Sequence, residues 1–108
     1  MTDGACDPVL DEIVSRLVRD FQPERIYLFG SRARGEAGSH SDYDILLVLK
    51  ALTDRRNRLC QAAYLTLRGV PAAVDVVVWA EADFEKRKRS PASLPATVIR
   101  EGQLIYAT

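Results

Sequence analysis

The sequence predicts an α/β sandwich, a sheet with helices packed against it, and three observations carry that prediction. Apolar residues between positions 10 and 21 recur at the 3.6-residue period of an amphipathic helix. Residues 43–49 are a near-continuous apolar run, the pattern of a strand covered on both faces, and residues 74–79 are a further strand. The two kinds of segment alternate along the chain in the order α-β-α-β-α-β-α-α-β, which builds layers of helix on sheet. At 108 residues the chain is one domain, 1–108, with no internal repeat, linker or low-complexity stretch.

Each element has a local reason. Asp7-Pro8 is a helix start, an N-cap carboxylate followed by a proline at the first helical position. Leu10, Ile13, Val14, Leu17, Val18 and Phe21 then share one face, and Gln22-Pro23 ends the helix. Residues 25–29, Arg-Ile-Tyr-Leu-Phe, are a short strand stopped by Gly30-Ser31. Residues 31–41 are either a short helix and a loop or wholly loop. Thr53-Asp54 caps a helix to about Leu67, with Leu59, Cys60, Ala63, Tyr64 and Leu67 inward, closed by Gly69 and Pro71. The strand at 74–79 is followed by a polar helix at 81–89, a short helix at 96–100 ending at Gly102, and an edge strand at 104–106.

Fifteen basic residues balance fifteen acidic ones, so no global field draws the protein to nucleic acid or anionic lipid. No direct nucleic-acid binding is expected. No apolar run approaches the roughly twenty residues that span a bilayer, and the acidic amino terminus is unlike a signal peptide. Cys6 and Cys60 are too few for a disulfide framework, and reduced thiols in a cytoplasmic protein are the economical reading.

The chemistry resides in polar residues that interrupt the apolar strands. Asp42 and Asp44 stand two apart, so in a strand their carboxylates project side by side. Two like charges held close repel, and a divalent cation with oxygen ligands removes the conflict. The plainer alternative has both flanking a turn and facing water. Asp75 has only apolar neighbours for three residues on either side, where a lone buried carboxylate costs several kcal/mol unless paired or metal-bound. It either converges on the first two, caps a loop at the strand's end, or is answered by an arginine. Gly30-Ser31 suits a phosphate, because glycine lets the backbone come close and the serine hydroxyl and following amides can hold oxygens. A plain turn fits the same two residues. There is no GxxxxGK[ST], which excludes a P-loop.

Gly30-Ser31, ten intervening residues, then Asp42-Tyr43-Asp44 is the Gly-Ser-x10-Asp-x-Asp pattern of the polymerase-β-like nucleotidyltransferases. Within that superfamily the chain resembles the minimal nucleotidyltransferases. It is similar in length, in Ser31-Arg32-Ala33-Arg34-Gly35, in Ser41-Asp42-x-Asp44 leading into an apolar strand, and in the ending Arg100-Glu101-Gly102 with Leu104-Ile105-Tyr106. The resemblance implies a mixed sheet with helices on one side. It implies two Mg²⁺ ions on Asp42, Asp44 and Asp75, the triphosphate of ATP on Gly30 and Ser31, and transfer of a nucleoside monophosphate with release of pyrophosphate. Two metals about 3.5–4 Å apart steady the attacking and leaving oxygens of an in-line displacement. Asp75 can take the acceptor's proton. Arg32 and Arg34 either neutralise the leaving pyrophosphate or are solvated surface arginines.

Thirty-three residues follow Asp75, too few for an acceptor-binding domain, so the acceptor is expected on another chain. In the family that chain is a helical HEPN protein encoded beside it, often a ribonuclease toxin whose tyrosine receives AMP. Three functions follow: an antitoxin that transfers AMP to a partner protein, a binding antitoxin without catalysis, and the catalytic half of a two-chain small-molecule transferase. The three carboxylates favour an enzyme. His40 is read as a surface loop residue and the basic run Lys86-Arg87-Lys88-Arg89 as a solvated helix face or partner contact. Trp79 is placed at the sheet's edge. Residues 76–79 and the last strand can also pair with another copy of the chain, which leaves a homo-oligomer open.

Overall fold

The computed structural model describes residues 7–30 and 42–108. Helix α1 spans Pro8–Phe21, and Asp7 caps it by accepting from the amides of Val9 and Leu10, both at 3.1 Å. It ends where Gln22 turns left-handed, φ 49°, ahead of Pro23. Strands β1 (Arg25–Phe29) and β2 (Tyr43–Leu49) follow, then helix α2 (Arg56–Thr66) and strand β3 (Val74–Ala80). Helices α3 (Glu81–Arg87) and α4 (Leu94–Glu101) precede the closing strand β4 (Gln103–Ala107). The Ser93 hydroxyl caps α4 by accepting from the Ala96 amide, so this helix starts two residues earlier than its apolar pattern suggests. Helix α2 starts later than expected, because Asp54 accepts from the adjacent Arg55 amide at 2.7 Å instead of capping the helix.

The sheet order is β3-β2-β1-β4. Strands β1 and β2 are antiparallel, as are β1 and β4, whereas β2 and β3 run parallel across a connection that contains α2. The sheet is therefore mixed, as the resemblance implies. Alternation along the strands divides the core in two. Ile26 and Leu28 of β1, Tyr43, Ile45 and Leu47 of β2, and Val74, Val76 and Val78 of β3 pack with Ile13 and Leu17 of α1 and Leu59 and Ala63 of α2. On the opposite face Tyr27, Leu46 and Val48 pack with Phe84 of α3 and Val98 of α4.

The helices thus lie on both sides of the sheet, which corrects the expectation of helices on one side. The long helices α1 and α2 do share one face. The short α3–α4 pair covers the other, because Leu46 and Val48 leave β2 apolar on that side too and need burial.

Polar links fix the helices to the sheet. Arg16 Nη1 donates to the carbonyls of Thr66 (3.3 Å) and Arg68 (2.6 Å), taking up acceptors at the end of α2 and tying it to α1. On the other face Arg25 of β1 pairs with Glu85 of α3 at 2.8 Å, with its guanidinium 5.2 Å from the centroid of the Phe84 ring. Tyr27 stacks on the same ring at 5.5 Å. Lys86, Arg87, Lys88 and Arg89 are exposed, and Lys88 pairs with Glu85, in keeping with a solvated helix face.

Candidate active site

Asp44 and Asp75 are partners in the parallel β2–β3 register, and both project on the α3–α4 face of the sheet, where the apolar cover stops short of the strand starts. Asp42 stands one residue before β2, with the parity of Asp44. The alignment of the two strands holds this end together, with Tyr43 donating its amide to the Ala73 carbonyl at 3.0 Å. Tyr43 itself points to the opposite face, where its hydroxyl donates to Asp7 Oδ2 at 2.8 Å. One carboxylate therefore caps α1 and anchors the residue between the two aspartates.

Gly30 closes the site from the β1 side. It has φ 79°, in the left-handed region, and a Cβ built on it would lie 2.2 Å from Asp44 Oδ2. The absence of a side chain is what lets the β1 terminus come this close to the carboxylate.

Electrostatics single out Asp44. Burial, then the charges of Asp75 and Asp42, hold its carboxyl above the usual carboxylate range. This is the like-charge conflict that a divalent cation relieves, and carboxylate oxygens are the donors that Mg²⁺ takes. Among the described residues no three acidic, histidine or cysteine side chains already close on one point. Asp42 is exposed.

Two expectations change. Asp75 is exposed, not buried among its apolar neighbours, because β3 is an edge strand and Asp75 lies near its start. The cost of a buried lone charge therefore does not apply to it. Tyr64, placed inward by helical periodicity, is 50% exposed. Instead of entering the core, its hydroxyl lies 3.3 Å from Asp75 Oδ1 and donates to it. Burial, together with the nearby Asp75 charge, holds that phenol above its ordinary value, so it stands protonated as a donor.

One turn-pair earlier on α2, Arg56 donates Nε to the Val78 carbonyl at 2.8 Å and lies 5.4 Å from the centroid of the Trp79 ring. Arg56 and Tyr64 thus both wrap the free edge of β3. Trp79 does sit at that edge, and its indole nitrogen is buried without a hydrogen-bond partner among the described residues. No spacing rule links position 64 to position 75. The available signal was a tyrosine, apolar in body and polar at its tip, on a helix that precedes an acidic strand. Ser31, Arg32, Arg34 and His40 lie outside the described residues, as does Cys6. Cys60 is a free thiol packed against the first core.

Residues 10–101 match the family model of the nucleotidyltransferase domain. The chain belongs to that family. Among solved structures, this nucleotidyltransferase is similar to a candidate nucleotidyltransferase from Sulfolobus solfataricus, with 27% identity and a TM-score of 0.66 over 93% of this chain and 78% of that one. It is 30% identical to a chain of a toxin–antitoxin complex with AMP-PNP, with a TM-score of 0.57 over 91% of this chain and 73% of the other. A third likeness is to an MntA-HpeT toxin–antitoxin variant in which two aspartates two residues apart are glutamates. It has 28% identity and a TM-score of 0.56, and covers 91% of this chain and 73% of that one. A search of curated protein sequences finds no match. Among the described residues no helix is long and apolar enough to cross a membrane.

Proposed function

We propose that this nucleotidyltransferase transfers AMP from ATP to a tyrosine of a helical HEPN partner protein, acting as the antitoxin of a toxin–antitoxin pair. The observation that carries the reading is the in-register pair Asp44 and Asp75, with Asp42 beside it and the Gly30 backbone against Asp44. The likeness to a toxin–antitoxin chain crystallised with AMP-PNP supports the choice of adenine nucleotide and of a protein partner. The likeness to a variant with two altered aspartates at the spacing of Asp42 and Asp44 supports the roles of that pair.

In this reading Asp42, Asp44 and Asp75 hold Mg²⁺. Held by these carboxylates, Mg²⁺ would supply positive charge where negative charge develops in the transfer. Gly30 and Ser31 seat the triphosphate, and Arg32 and Arg34 receive the charge that leaves with pyrophosphate. Asp75, exposed at the start of the edge strand, is open to a partner chain and takes the proton from the incoming hydroxyl. The remainder of the task is positioning, which the sheet performs by fixing the strand that carries each carboxylate.

The test is to incubate the protein with the product of its neighbouring gene, Mg²⁺ and ATP, and to measure the partner's intact mass. The reading expects one or more added AMP groups, lost in Asp42→Ala/Asp44→Ala. Neutralisation of the partner by that double variant, with no mass change, refutes it in favour of a binding antitoxin. Pyrophosphate released with a small acceptor, and no change to the partner, assigns the chain to a two-chain small-molecule transferase.

A further inference from the structure

We propose that Tyr64 is itself a nucleotide acceptor, so that the protein carries one AMP on its own α2 helix when no partner occupies the site. The inference rests on the reading of Asp75 as the group that takes the acceptor's proton. The Tyr64 hydroxyl lies 3.3 Å from Asp75 Oδ1, where an incoming hydroxyl has to stand in order to lose its proton to that carboxylate. It is a phenol, the same chemical class as the tyrosine proposed on the partner.

Core packing gives no reason for this placement. Half of the Tyr64 surface is exposed, and so is most of the next residue, Leu65, while Leu59, Ala63 and Leu67 bury the inner face of the helix. The side chain therefore has freedom to advance on a bound nucleotide. It starts from hydrogen-bond contact with Asp75, which replaces a bimolecular encounter by an intramolecular one.

The step balances as follows. Tyr64 Oη forms a bond to the α-phosphorus of ATP, and the bond from that phosphorus to the bridging oxygen of pyrophosphate breaks. Pyrophosphate leaves with the electron pair, and the phenolic proton passes to Asp75. The product is an O-adenylyl tyrosine, with no oxidant or further reactant consumed.

The experiment uses the full chain with Mg²⁺ and α-labelled ATP, with and without the partner. Expected without the partner is one AMP on the intact mass, mapped to the peptide containing Tyr64, formed at a fractional rate independent of protein concentration. The label is absent in Tyr64→Phe, a change that removes a half-exposed hydroxyl and leaves the core intact. A second readout needs no turnover: the change in near-ultraviolet tyrosine absorbance on adding Mg²⁺ is smaller in Tyr64→Phe than in the wild type. Label on the partner but never on this chain overturns the inference and leaves the proposed function standing. Label on Tyr64 with none on the partner does the reverse. Label on neither overturns both. A self-labelling rate that rises with concentration, a label mapped to another residue, or a Mg²⁺-induced spectral change of equal size in the wild type and Tyr64→Phe also overturns the inference.

Discussion

Gly30 and Gly69 make a matched pair of perturbations. Both adopt left-handed backbone, φ 79° and 88°, where an alanine is strained by about 1–2 kcal/mol. For a domain of this size that is a fall in Tm of roughly 5–15 °C. The two sites differ in what an added Cβ meets. At Gly69 nothing lies within 4 Å, whereas at Gly30 the new carbon would sit 2.2 Å from Asp44 Oδ2. The atom in the way is the end of a side chain, so the carboxylate swings aside and adds little to the loss of stability. It has to retreat by about 1 Å, and a misplacement of that size costs about 100-fold in rate. Gly30→Ala and Gly69→Ala are thus expected to melt within a few degrees of each other, while only Gly30→Ala loses nucleotide transfer. Thermal unfolding by circular dichroism and pyrophosphate release with Mg²⁺, ATP and the partner measure the two quantities. Equal transfer rates in the two variants would refute the coupling between the β1 terminus and Asp44.

Other consequences follow from the same geometry. Because Asp44 has its carboxyl raised in the folded chain, the folded state holds that proton more tightly than the unfolded state does. Its contribution to metal-free stability is full below the unfolded carboxyl pKa and is lost as pH rises through the raised folded value. Asp44→Asn should flatten this part of the profile of Tm against pH, and a profile identical to that of the wild type counts against the assignment. Phe84→Ala removes a fully buried ring under Arg25 and Tyr27 and is expected to cost about 3–5 kcal/mol in urea unfolding. A loss below 1 kcal/mol would mean that the α3–α4 cover contributes little. Gly102→Ala places a Cβ 2.6 Å from the Val98 carbonyl oxygen and 2.8 Å from that of Leu28. Both are backbone atoms that cannot swing away, so about 1–3 kcal/mol is expected, read as a lower denaturation midpoint.

The aspartate pair was legible because period-two alternation is a local property, set by each strand alone, and the strands because runs of apolar and β-branched residues are local too. The continuous apolar run of β2 also foretold burial on both faces, and it was a better guide to the helix layers than the family resemblance. Strand order is not local. Trp79 was placed at the sheet's edge, but that placement was not carried to Asp75 on the same strand, and the edge position is what turns Asp75 from a buried charge into an exposed one. Tyr64 was misplaced for a related reason. Helical periodicity assigns a face but cannot see that the sheet ends beside that face, leaving a long amphipathic side chain free to reach around it. The start of α2 was missed because Asp54 answers its own neighbour, a competition between cap and turn that residue type does not decide.

The register of β2 against β3 has a consequence for how the protein tolerates change. Asp44 faces Asp75 only while Tyr43 lies opposite Val74 and Ile45 opposite Val76. A one-residue insertion between Val74 and Asp75 would turn Asp75 toward the α1–α2 face and put the inserted residue opposite Asp44. The same insertion in the exposed stretch at residues 53–55 changes the length of a connection and leaves every pairing intact. Length variation is therefore affordable in the connections and ruinous in the strands, so a library of insertions scored for folding and for nucleotide transfer should separate along that line.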